Sequence, residues 1–115
     1  MVAPAEITWL VHRDARPALD ELRGGDGAWY EAQKTSLRNY LCRYFDGDGG
    51  CSVELGNAIS PVGAAGRGEK LLKVRWMLPG RGKRGGLRML LVVECDARRV
   101  TIAKAAHRKD DPDFF

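Results

Sequence analysis

The sequence predicts an α+β domain: a small antiparallel β-sheet with two N-terminal helices packed on one face, in the order β-α-α-β-β-β. Three observations lead there. Apolar residues between about Asp26 and Phe45 recur at helical spacing, after a shorter helical stretch. Residues 70–107 then hold three β-rich runs. In the first of those runs, apolar residues alternate with cations, as on a strand with one buried and one open side. At 115 residues the chain forms one domain, 1–115, with a single modest core.

Each element has its own signal. "AEITWLVHR" holds Ile7, Thr8, Trp9 and Val11 and reads as a short first strand. In "RDARPALDELRG", Pro17 stands near a helix start and Gly24 just past its end. The second helix, from about Asp26 to Phe45, aligns Tyr30, Leu37, Leu41 and Tyr44, with Lys34, Arg38 and Arg43 on other faces. Residues 46–68 are rich in glycine and small side chains and read as a long loop or partly disordered linker. "KLLKVRWML" (70–78), "LRMLLVVECD" (87–96) and "RVTIAKAAH" (99–107) follow as adjacent antiparallel strands. The continuous apolar run "MLLVV" belongs in a central strand.

Composition narrows the setting. No apolar run approaches the roughly 18 residues of a membrane span, and the N-terminus lacks the pattern of a secretory signal. Cys42, Cys51 and Cys95 are odd in number and show no CxxC spacing, which argues against a disulfide scaffold or zinc site. The expectation is a cytoplasmic protein without a membrane partner. The net charge of +4 is unevenly spread. Residues 1–66 hold 6 Lys and Arg against 9 Asp and Glu, whereas residues 67–115 hold 13 against 6. A basic C-terminal half suits a polyanionic partner, most often nucleic acid.

The cations fall into a pattern. Lys73 and Arg75 share a strand face about 6.5–7 Å apart, close to the spacing of successive phosphates on a single strand. "LPGRGKRGGLR", residues 78–88, brings Arg81, Lys83, Arg84 and Arg88 beside them on a glycine-rich backbone. "HRKD" supplies His107, Arg108 and Lys109 where the last strand is expected to run beside that face. Cations that neutralise a phosphate, with one imidazole to move protons, suit RNA cleavage by attack of the 2′-hydroxyl. Such chemistry needs no metal or other cofactor, and the carboxylates are too scattered for a two-metal site. Trp76 and the helix tyrosines read as core, and His12 as a structural or exposed side chain.

"LLKVRWMLPGRGKRGGLRMLLVV" resembles the core motif of the RelE/ParE toxin superfamily, especially HigB-like toxins: a Leu-x-Lys-x-Arg strand, a GKGKRGG-type loop and an Arg-bearing apolar strand. "AAHRKDD" is similar to that family's terminal strand. The likeness covers about residues 69–111. It implies a ribosome-dependent mRNA endonuclease, the toxin of a type II toxin–antitoxin pair, with mRNA and ribosome as targets and a helix-turn-helix antitoxin as protein partner. Carried over, Lys73, Arg75, Arg88 and His107 would be catalytic, His107 standing where many relatives have Tyr. Arg81, Lys83, Arg84, Arg108 and Lys109 would bind RNA. The alternative is a catalytically inactive or ParE-like module that binds RNA or a protein target such as gyrase.

Overall fold

In the computed structural model, which describes residues 4–46, 51, 59–63, 68–76 and 86–107, five strands form one sheet. A 3-10 turn (Pro4–Glu6) precedes β1 (Thr8–Val11), α1 (Arg16–Gly25) and α2 (Gly27–Asp46). Then come β2 (Ile59–Gly63), β3 (Glu69–Trp76), β4 (Leu87–Glu94) and β5 (Arg99–His107). The spatial order is β1-β5-β4-β3-β2. The α+β class and the helices against the sheet match the expectation, as does the antiparallel β3-β4-β5 meander.

Two features extend it. β1 joins β5 in parallel, so the sheet is mixed. The segment 46–68, expected as a long loop or partly disordered linker, contributes β2, an edge strand antiparallel to β3. Its sequence, "ISPVG", is short and carries Pro61. A proline without an N–H is tolerated at an edge, and the β2–β3 register shifts between Pro61 and Gly63.

Local chemistry explains the helices. Pro17 occupies the first turn of α1, where its missing N–H is harmless, and Leu19 and Leu22 face the core. The helix continues one residue past Gly24 and ends as the Asp26 N–H donates to the Leu22 carbonyl, 3.0 Å away. Asp26 then starts α2: its Oδ1 accepts from the Trp29 N–H at 3.0 Å, satisfying a donor that the first turn leaves open. α2 buries Tyr30, Leu37, Leu41, Cys42, Tyr44 and Phe45.

The core lies between these helices and one side of the sheet. Leu72, Val74 and Trp76 of β3, alternate residues Leu87 to Val93 of β4, and Val100, Ile102 and Ala105 of β5 are all buried. Trp76 meets the edges of Trp29 and Tyr30 at centroid distances of 6.0 and 6.1 Å, a favourable crossed arrangement.

The cysteines depart from expectation. Cys51 and Cys95 form a disulfide with their Cα atoms 6.0 Å apart, tying the chain beyond α2 to the β4–β5 turn. They are 44 residues apart in sequence, so no local spacing announced the pair. Cys42 is the free thiol, buried in α2. Burial pushes its pKa up, helped by Asp46, and so opposes the thiolate that a nucleophile needs. Among the described residues, no helix is long and apolar enough to cross a membrane.

Candidate nucleic-acid interface

Strand parity decides which charges meet. Along β3, Leu72, Val74 and Trp76 are buried under the helices, so Lys73 and Arg75 project from the opposite side. In β4, Leu87, Met89, Leu91 and Val93 are buried, leaving Arg88, Leu90 and Val92 on that same open side. Register then aligns the cations across strands. Arg75 stands opposite Arg88, and Lys73 opposite Leu90, which in turn faces Lys104 of β5. Directly opposed residues lie about 4.5–5.5 Å apart at the backbone, and alternate residues along a strand about 6.5 Å apart. Lys73, Arg75, Arg88 and Lys104 therefore occupy one end of the open face. Arg75 and Lys104 are exposed; Lys73 and Arg88 are half-buried.

His107 lies on the other side. It stands opposite Leu87, whose neighbour across the sheet is Trp76, and both of those side chains face the helices. The residue is only 6% exposed, and neither ring nitrogen has a hydrogen-bond partner among the described residues. The Oε2 of Glu21 in α1 lies 3.8 Å from its Nε2. The backbone of the sheet thus separates the imidazole from the cations it was expected to assist. This corrects the placement of His107 beside the cationic face.

The cause is a β-bulge. Leu90 pairs with Lys104, but Leu91 pairs with Ile102, leaving Ala103 as an extra residue in β5. Strict alternation from buried Val100 and Ile102 would place Lys104 under the helices and His107 in the open. The extra residue inverts the parity: Ala105 and His107 turn inward and Lys104 turns outward. Lys104 is the cation that sequence reasoning missed. The small alanines around it, in "IAKAAH", are the one local hint, since they leave room for the bulge.

The open face has a polarity of its own. Glu69 and Glu94 stand opposite each other about 20 Å from Arg75 and Arg88, six residues away along each strand. Glu94 binds the Arg99 guanidinium at 3.2 Å. These two carboxylates are therefore remote from the cationic end.

Other candidates resolve simply. Trp76 is buried, as expected of a core residue. His12 is exposed, and its Nδ1 accepts from the Asp14 N–H at 3.1 Å in the turn before α1. Arg81, Lys83, Arg84, Arg108 and Lys109 lie outside the described residues. No cluster of three or more His, Cys, Asp or Glu side chains suited to a metal occurs among the described residues. Compared with protein-family models, curated proteins and solved structures, the chain matches none, so the functional reading rests on this face and on the motif at residues 69–111.

Proposed function

We propose that the protein is an RNA-directed toxin of the RelE/ParE kind, a ribosome-dependent mRNA endonuclease whose open sheet face grips the RNA backbone. The observation that carries this reading is the grouping of Lys73, Arg75, Arg88 and Lys104 on one end of that face by strand register. Two cations about 6.5 Å apart along β3 match successive phosphates, and Arg88 beside Arg75 offers a paired guanidinium grip on one of them. In strand cleavage the 2′-oxygen attacks the adjacent phosphorus and the 5′-oxygen of the next nucleotide leaves. The attack builds negative charge on the non-bridging oxygens, which fixed cations stabilise. His107 takes no part in this scheme, because it lies beneath the sheet. The proposed site of action is the cytoplasm, with a small antitoxin as protein partner.

One observation favours a second reading, binding without cleavage. Among the described residues, strand register sets no histidine, tyrosine or carboxylate opposite these cations to carry the 2′-hydroxyl proton. A cleavage assay on translating ribosomes separates the two. Wild type and His107→Leu should cut messenger RNA alike, and Arg75→Gln/Arg88→Gln should not. Loss of cutting in His107→Leu, with the fold retained, would defeat the assignment of cleavage to the open face. Binding without any cutting by wild type would establish the second reading.

A further inference from the structure

On the helix side of the sheet, opposite the cationic face, a cavity of about 170 Å³ opens between α1, α2, β1 and the end of β3. Three aromatic rings line it: Trp9 of β1, Tyr30 of α2 and Trp76 of β3. Three cations line it too: Arg23 of α1 and Lys34 and Arg38 of α2. They are stacked on the rings. Arg23 and Lys34 lie 5.8 and 5.4 Å from the Tyr30 centroid, and Arg38 lies 5.8 Å from that of Trp9.

The charges do not cancel. Asp20 binds Arg23 at 2.9 Å and Glu31 lies 3.7 Å from Lys34, both on exposed helix turns. Arg38 has no carboxylate partner among the described residues, so three cations meet two carboxylates and one positive charge is left over. An aromatic lining selects a flat ring, and the unmatched guanidinium selects one negative charge on it. The volume sets the size, since an apolar cavity of about 150 Å³ accommodates a single benzene ring.

We infer that this cavity is a binding site for a small monocyclic aromatic carboxylate, its ring between Trp9, Tyr30 and Trp76 and its carboxylate on Arg38. The site is independent of the RNA face, which lies on the other side of the sheet. It borders the layer that fixes Trp76, the residue leading out of β3 towards the basic segment 77–85. A ligand there would stiffen that end of the sheet.

Benzoate is the probe, and tryptophan fluorescence with indole N–H shifts in a 15N–1H spectrum is the readout. Benzoate should saturate with a dissociation constant on the order of 1 mM or tighter, shifting Trp9 and Trp76. Acetate has the charge without the ring, and benzylamine has the ring with the opposite charge. Both should bind at least about tenfold more weakly. Arg38→Gln should weaken benzoate about tenfold while its thermal midpoint stays at the wild-type value; Arg38→Lys should recover part of the loss. If Arg38→Gln melts early, the comparison of benzoate with benzylamine on wild type still decides. Failure of benzoate to saturate, equal binding of benzylamine, or full affinity in folded Arg38→Gln would overturn the inference.

Discussion

Breaking the Cys51–Cys95 bond should cost the protein a large share of its stability. The bond closes a loop across 44 residues of sequence and spans β2, β3 and β4. In the chain-entropy account, freeing a loop of that length returns about 4 kcal/mol to the unfolded state at room temperature. Unfolding entropy scales with length, and for 115 residues that loss lowers the melting midpoint by about 15 °C. The assay is thermal unfolding of oxidised protein, of protein held in a dithiol reductant, and of Cys51→Ser/Cys95→Ser. A thiol count on unfolded, unreduced protein accompanies it and should find one free thiol, that of Cys42. Three free thiols, or equal midpoints with and without reductant, would refute the reasoning. The outcome also bears on location, because reducing compartments disfavour such bonds unless they are thermodynamically stable.

Further expectations come from the core and its titrating groups. His107→Leu should leave stability unchanged or raise it by about 1–2 kcal/mol in denaturant titrations, since both imidazole nitrogens are buried without hydrogen-bond partners among the described residues. A loss of more than about 1 kcal/mol would show that the ring is satisfied after all. Leu91→Ala, at a fully buried position in the central strand, should cost about 2–5 kcal/mol by the same measure. Burial raises the pKa values of Tyr30, Tyr40 and Tyr44 above the ordinary 10.0. The unfolded chain therefore loses these protons first. Stability is fully present below pH 10.0 and falls as pH rises through the higher folded values. Midpoints measured from pH 8 to 11 should be flat and then decline; a decline that starts well below pH 10 would contradict the burial assignment.

Much of this fold could be read from the chain because its signals are local. Tyr30, Leu37, Leu41 and Tyr44 repeat at helical spacing, and Leu72, Val74 and Trp76 alternate with Lys73 and Arg75, so each element declares its own buried side. What escaped depends on partners distant in sequence. β2 is five residues long and contains proline, and only its pairing with β3 makes it a strand. The disulfide joins residues that only the folded chain brings together. The bulge at Ala103 was the costliest omission. One extra residue exchanges Lys104 for His107 on the open face, and the expected chemistry changes with it.

The sharpest test of the RNA face is the salt dependence of binding to a short single-stranded RNA, followed by fluorescence anisotropy between about 50 and 200 mM salt. Each phosphate neutralised on a single strand contributes about −0.7 to the slope of log affinity against log salt. Removing two cations in Arg75→Gln/Arg88→Gln should therefore flatten the wild-type slope by about 1.4 and weaken binding, while His107→Leu keeps both slope and affinity. An unchanged slope in the double variant would contradict the account, and so would a flattened slope in His107→Leu.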